Sequence, residues 1–380
     1  MIPYGSQHIS EEDIEAVLSV LRSGWLTQGQ NLPAFESAVA DYCGVDHAVA
    51  VSNGTAALHL ACLALGLGQG GLLWTTPNTF VASANCAMYC GATVDFIDID
   101  PQTYNLDLGV LRRKLEHARA KGVLPDIVLV VHFAGSPCDM QTIAELSDEY
   151  GFRVIEDASH ALGASYSGTR IGDCQYSDCA TFSFHPVKPI TTAEGGMITT
   201  CSAELALKLQ DLRSHGVTRD ADRFVGDCVE PWYYEQLSLG FNYRMSDLQA
   251  ALGISQIKQL DKFLKRREDI AQRYMDELSG LPLQLPTVSD GDRCGWHIFV
   301  VRVQSGTRNQ VLKAMRERGI GVHLHYIPVY RQPHYSAMGH KPSDYPNMEL
   351  YYEQAMTLPI FPGLTDTDQG EVINALKDVL

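Results

Sequence analysis

Charge is what this chain has least of. Asp, Glu, Lys and Arg together make up 19% of its 380 residues, below the roughly 25% usual for soluble chains. So few charges on so long a chain predict extra buried surface, as an oligomer provides. Basic residues are the scarcer sign, 29 against 45 acidic, for a net charge of -16. That balance argues against a fold built to grip phosphate backbones, so no nucleic-acid partner is expected. A small anionic substrate stays open, because a local pocket can oppose the net charge. Long hydrophobic runs are missing too. No stretch approaches the roughly 20 apolar residues of a membrane span, so no membrane partner is expected. The opening residues MIPYGSQHISEEDIEAVL contain no basic segment followed by an apolar run, which predicts no signal peptide and a cytoplasmic protein. The ten cysteines form no C-x-x-C motif. Cys86 and Cys90, and Cys174 and Cys179, have neither zinc nor disulfide-framework spacing. They read as reduced thiols used as small hydrophobes. Internal repeats and low-complexity tracts are absent. Apolar residues, by contrast, reach 45%, which supports a sizeable core and excludes disorder as the main state.

Between about residues 46 and 200 short apolar runs alternate with helical periodicity. Strands are predicted near 48–51, 72–74, 93–97, 127–131, 152–155, 180–184 and 197–200. Helices are predicted over 55–65, 81–89, 111–120 and 143–150. This alternation predicts an α/β fold, with a mainly parallel sheet covered on both faces. After residue 200 the pattern changes. A helix is expected over 205–212, a loop over 220–241, and a long helix over 246–278 with a break near Leu260. Short strands (296–303 and 321–325) and helices (310–318, 348–356 and 368–380) then predict a smaller C-terminal α+β domain. The expected division is 1–255 for the large domain and 256–380 for the small one.

Ligands in such sheets bind beyond the carboxyl ends of the strands, and three segments there carry chemistry. In Ser52-Asn53-Gly54-Thr55-Ala56 a strand stops, turns on glycine and enters a helix. Free N–H groups and the helix dipole favour a phosphate there, although any tight strand-to-helix turn selects these residues. In Val154-Ile155-Glu156-Asp157 an apolar strand delivers a carboxylate to its end. Asp157 either caps the next helix or holds a protonated ring nitrogen. In Ser183-Phe184-His185-Pro186-Val187-Lys188-Pro189 a lysine stands between two prolines in an otherwise uncharged stretch. Desolvation there lowers a lysine's pKa and frees its amine for carbonyl chemistry. A phosphate cradle, a carboxylate and a nucleophilic lysine, in that order on an α/β sheet, form the protein half of a pyridoxal phosphate (PLP) site.

With these segments in place the chain resembles the fold type I PLP aminotransferases that act on nucleotide-linked keto sugars, the DegT/DnrJ/StrS family. The resemblance runs nearly end to end. It is carried by LTQG from Leu26, SNGTAAL, TTPNTFVASAN from Thr75, EDASHALGA from Glu156, SFHPVKPITTAEGG, RSHG from Arg213 and GFNYRMSDLQAALG from Gly240. The chain departs from the family pattern at Gly70-Gly71, where many relatives carry an acidic residue.

The resemblance implies roles residue by residue. Lys188 is the Schiff-base lysine and proton shuttle, and Asp157 the partner of the ring nitrogen. Phe80 stacks on the ring; Gly54, Thr55 and Ser183 hold the phosphate. Asn242 reaches the phosphate of a neighbouring subunit, which implies a homodimer with shared sites. His160 lies near the ring hydroxyl, or is a buried histidine satisfied by a backbone carbonyl. Tyr4 and Gly24-Trp25-Leu26-Thr27 line the sugar site, joined by Leu324, His325, Tyr326 and Ile327 from the small domain. Trp25 offers its face to a deoxy sugar or uracil, or is a core or interface tryptophan. Arg244 is a candidate for an anionic group such as a co-substrate carboxylate. His323 and His325 alternate along the chain, but no third ligand accompanies them, so no metal is expected. Dehydratases of the family carry histidine at the position of Lys188, so lysine favours transamination. The implied reaction moves the amino group of L-glutamate to carbon 4 of a UDP-linked 4-keto-6-deoxy-N-acetylhexosamine, UDP-2-acetamido-2,6-dideoxy-β-L-arabino-hexos-4-ulose, in pseudaminic acid biosynthesis. Another nucleotide-linked keto sugar, or a dehydration, is the alternative.

Overall fold

The structure is a computed structural model that describes residues 1–228, 230–303 and 308–380. Its centre is a seven-stranded sheet of β1 (His47–Val51), β2 (Leu72–Thr75), β3 (Thr93–Phe96), β4 (Ile127–Val131), β5 (Arg153–Asp157), β6 (Cys179–Ser183) and β7 (Gly196–Thr200). Their order across the sheet is β1-β7-β6-β5-β4-β2-β3. Pairings among β2 to β6 are parallel, while β7 runs antiparallel to both neighbours. β4, the all-aliphatic IVLVV, is buried at every position, as a strand covered on both faces must be. β6 and β7 are joined by an irregular stretch with no crossover helix, so β7 returns antiparallel. One consequence places the site. The carboxyl ends of β1, β5 and β6 reach the same edge, and the stretch carrying Lys188 leaves from that edge.

The helices are α1 (Glu11–Arg22), α2 (Asn31–Cys43), α3 (Gly54–Ala64), α4 (Ala82–Tyr89), α5 (Leu108–Lys121), α6 (Met140–Tyr150), α7 (Ala203–Arg213), α8 (Asp247–Ile257) and α9 (Leu260–Glu277). Sequence reasoning passed over α1 and α2. α1 is nevertheless signalled locally: Ser10 caps it and Asp13 reciprocates in a capping box. The expected break near Leu260 falls at Lys258–Gln259, between α8 and α9.

A second, antiparallel sheet joins β8 (Leu283–Gln284), β9 (Phe299–Val303) and β10 (Ala355–Leu358). It packs with α9 and two later helices around a core of its own, from Ile270 to Leu376. The division expected at residue 255 falls inside α8. Two expectations fail in this half. Residues 321–325 form no strand; they make one bridge, His323 to Thr357, and His325 and Tyr326 then line a cavity. The helix expected over 348–356 ends at Gln354, because the apolar Ala355–Leu358 is buried at all four positions in β10. No described helix is long and apolar enough to cross a membrane.

Candidate active site

At the end of β1 the chain enters α3 through Asn53, whose side chain accepts from the Ala56 N–H at 2.9 Å. The N–H groups of Gly54 and Thr55 are the first orphan donors of that helix, at the positive end of its dipole. Close approach dictates the glycines here. A Cβ on Gly54 would lie 2.9 Å from the Ser183 Cβ, and one on Gly196 would lie 2.5 Å from the Asn53 carbonyl oxygen. Gly196 pairs with Val51 on one side and Ser183 on the other. The two strand ends are thereby drawn together around the start of α3.

Asp157 ends β5 and is buried. Its Oδ2 accepts from the Ser83 hydroxyl at 2.6 Å, and its Oδ1 accepts from the Ser159 hydroxyl at 2.6 Å and the Ser159 N–H at 3.2 Å. Lys188 follows β6. Burial pushes its ammonium down to about 8, against a smaller upward pull from the Asp157 carboxylate. About a tenth of this amine is therefore free at pH 7, a few hundred-fold more than for an exposed lysine near 10.4.

Three neutral histidines flank the amine. His160 accepts from the Ala134 N–H through Nδ1 at 3.2 Å, so its proton is on Nε2, which stands 3.1 Å from the Tyr326 hydroxyl. Burial holds His160 and His297 well below the usual histidine range, and pushes His325 down to about 3. His325 Nδ1 meets the Thr357 hydroxyl at 2.9 Å. The Tyr326 phenol is raised by the same desolvation, so it is a donor and not an anion.

Gly54, Thr55, Phe80, Asp157, His160, Ser183, Lys188, Tyr4, His325 and Tyr326 all line one cavity of about 740 Å³, within the range of small-molecule sites. Phe80 is 59% exposed. His160 is satisfied by a backbone N–H and not by the carbonyl that the sequence reading allowed. Gly24, Trp25, Leu26, Thr27, Leu324, Ile327 and Asn242 do not line the cavity. Gly24 to Thr27 and Asn242 are exposed on this single chain. Arg244 is outside it as well. Sequence reasoning missed His297, whose ring centroid is 4.4 Å from that of His160. Its one local signal is a histidine just before an apolar strand. Ser83 and Ser159 were inside quoted motifs but had no role. His323 and His325 are adjacent, with ring centroids 4.9 Å apart. Among the described residues no group of three His, Cys, Asp or Glu is placed to hold a metal ion.

The family model for DegT/DnrJ/EryC1/StrS aminotransferases matches residues 7–377. The chain belongs to that family. It is 40% identical to the spore coat polysaccharide biosynthesis protein SpsC of Bacillus subtilis, over 100% of this chain and 97% of that one. Its fold matches PseC of Helicobacter pylori, an aminotransferase of pseudaminic acid biosynthesis, with a TM-score of 0.90 at 28% identity, covering 100% of this chain and 98% of that one. It also matches Spr1654 of Streptococcus pneumoniae, a proposed sugar aminotransferase. The PMP form of that protein gives a TM-score of 0.91 at 27% identity, covering 100% and 99% of the two chains, and its PLP form is known as well. The chain is thus a sugar aminotransferase, and PLP is its cofactor.

The residues present fit that group. The α3 cradle admits no Cβ at Gly54 or Gly196, which keeps room for a phosphate against the backbone. The cavity lining also holds two buried ring nitrogens with no protein partner, Nε2 of His59 and Nδ1 of His297. A lysine amine, an acceptor carboxylate and an exposed aromatic face complete the donor set.

Proposed function

We propose that this chain transfers the amino group of L-glutamate to carbon 4 of a UDP-linked 4-keto-6-deoxy-N-acetylhexosamine, as in pseudaminic acid biosynthesis. One observation carries the catalytic part: the α3 N-terminus, Asp157 and Lys188 face a single cavity, although they are separated in sequence. The likeness to PseC supports the choice of sugar.

Bound here, PLP supplies an aldehyde carbon that accepts amino groups and a ring that takes up the electrons of the adjacent carbanion. The protein's own residues do the rest. The Gly54 and Thr55 N–H groups, with the Thr55 and Ser183 hydroxyls, hold the phosphate. Asp157 accepts one N–H from the ring and so keeps it positively charged. Phe80 covers one face. Lys188 is the nucleophile. With the cofactor bound, its amine would act as the base that takes the proton from the donor's α-carbon and as the acid that gives it back. With the keto sugar as acceptor, the same amine would carry the proton in the opposite sense. A lysine pushed down to about 8 is suited to both directions near neutral pH. His160 and Tyr326 present a phenol hydrogen toward the bound molecules.

A homodimer with shared sites belongs to the same proposal. Asn242 is exposed and stands outside its own chain's cavity, and so do Gly24 to Thr27. Trp25 is 67% exposed, which fits a residue completed by a second copy.

The test is a visible absorption spectrum of the PLP-loaded protein, recorded before and after L-glutamate and then after the UDP-linked 4-keto sugar. A band that shifts with glutamate and returns with the sugar supports donor and acceptor together. A shift with glutamate and no response to the sugar discards the proposed acceptor. Product mass separates amine gain from loss of water.

A further inference from the structure

The Asp157 carboxylate is already occupied on both oxygens. Three donors hold it: the Ser83 hydroxyl on Oδ2 at 2.6 Å, and the hydroxyl and N–H of Ser159 on Oδ1 at 2.6 and 3.2 Å. Behind Ser83, the Thr79 hydroxyl stands 2.7 Å from the Ser83 oxygen. Ser83 is buried at 1%, Thr79 at 3% and Asp157 at 5% exposure. The donors come from different elements. Ser83 is on α4, Asp157 ends β5, and Ser159 is in the turn that follows. An ionised carboxylate offers about four acceptor positions. Three are filled here, so one remains, on a side chain that lines the cavity.

We infer that Ser83 and Ser159 are positioning residues that lock Asp157 into one rotamer and leave it a single acceptor position for the ring N–H of the cofactor. The inference rests on the PLP reading of the site. A carboxylate with free rotation offers its lone pairs in many directions. Here Ser83 and Ser159 hold opposite oxygens and remove that rotation. The bound ring then meets a preorganised acceptor, and its nitrogen, more than its other atoms, gains from the hydroxyls. Thr79 holds the Ser83 hydroxyl in turn, so that Ser83 has its hydrogen free for Asp157.

The test separates this role from packing. The apo form of the full chain is titrated with pyridoxal phosphate and with its 1-deaza analogue, which keeps the phosphate and aldehyde but has C–H in place of the ring nitrogen. The readout is the ratio of the two dissociation constants. Wild type should favour pyridoxal phosphate by about tenfold or more, as a charge-assisted hydrogen bond allows. Ser83→Ala and Ser159→Ala should each cut that preference several-fold while binding of the deaza analogue stays within about twofold. Ser83→Thr and Ser159→Thr, which keep the hydroxyl, should restore it. Ser159 is only half-buried, so its variant keeps the test alive if Ser83→Ala fails to fold. Equal weakening of both ligands, or Thr variants that behave like Ala, would overturn the inference and reduce the hydroxyls to packing. Asp157→Asn identifies which idea has failed. If it removes the preference and the serine variants do not, only the positioning role falls. If it leaves the preference intact, the assignment of Asp157 falls with it.

Discussion

Gly196→Ala is a one-methyl test of the cradle. The added Cβ would lie 2.5 Å from the Asn53 oxygen, 2.7 Å from its carbonyl carbon and 2.9 Å from the Gly54 nitrogen. Carbon contacts settle near 3.5–4.0 Å, so one side must yield by about 1 Å. Neither side is free to do so. Gly196 is paired to Val51 and to Ser183, and the atoms it meets are the backbone that starts α3. Overpacking against backbone costs about 1–3 kcal/mol. At about 2–4 °C per kcal/mol for a large domain, Tm should fall by several degrees. The cradle should suffer more. A shift of that size at the Gly54 N–H breaks a charge-assisted hydrogen bond of about 1.5–3 kcal/mol, or roughly tenfold to a hundredfold in affinity. The loss should follow the phosphate. The assay titrates the apo-protein with pyridoxal phosphate and with pyridoxal, and compares their dissociation constants. Gly196→Ala should shrink the difference between them. Gly68→Ala is the control, since a Cβ there meets nothing within 4 Å. A Gly196→Ala protein with wild-type Tm and an undiminished phosphate preference would refute the reasoning.

Other expectations follow from the same geometry. Lys188→Ala should abolish turnover, and wild-type-like kcat in that variant would end the catalytic assignment. The buried ammonium also has a pH signature. With its native value at about 8 and an unfolded value near 10.4, its cost is full below pH 8. It fades as pH rises through the window between the two values, because there only the unfolded chain holds the proton. The apo form of Lys188→Met should therefore exceed wild type in stability by about 1–2 kcal/mol at pH 7, discounted for the open cavity, and the gap in Tm should close above about pH 10. A gap that widens with pH would contradict this. Phe80→Ala should leave stability within about 0.5 kcal/mol, because the side chain is exposed, yet weaken pyridoxal phosphate binding about tenfold. Arg267 is 1% exposed and donates to the carbonyls of Trp296, His297 and Ile360 at 3.2, 3.2 and 3.1 Å. Arg267→Leu strands those carbonyls and should cost about 3 kcal/mol or more in urea unfolding; a loss under 0.5 kcal/mol would show that water replaces it.

The large-domain strands were legible because each is a short apolar run ended by turn residues, as in β4. Lys188 and Asp157 were legible because strand ends are where such sheets hold ligands. What escaped depends on contacts that no local pattern encodes. Ser83 and Asp157 are 74 residues apart, so neither periodicity nor spacing pairs them. His297 faces His160 only because the turn at Ala134 reaches both: its N–H binds the first ring, and its carbonyl accepts the N–H of the second residue at 2.9 Å. The failed strand at 321–325 has the same cause. Its alternation is β-like, but its N–H groups are divided between partners. Gly321 donates to Ile2, and only His323 exchanges bonds with β10. The segment therefore cannot extend a ladder, and it hands His325 and Tyr326 to the cavity. The alternating pattern was real, but the segment's first donor is committed to Ile2 before the edge of β10 is reached. By the same logic, no local pattern tells that Trp25 and Asn242 are left exposed and outside their own chain's cavity. Among the described residues, neither is covered or lines the cavity. The proposed shared sites assign both residues to the cavity of a second copy. A Trp25→Ala or Asn242→Ala variant mixed with an inactive Lys188→Ala partner then makes a definite prediction. Shared sites require that the mixture regain part of the activity each variant lacks, because one of the two sites in a mixed dimer has every residue it needs. Sites built within single chains would leave the mixture no better than its parts.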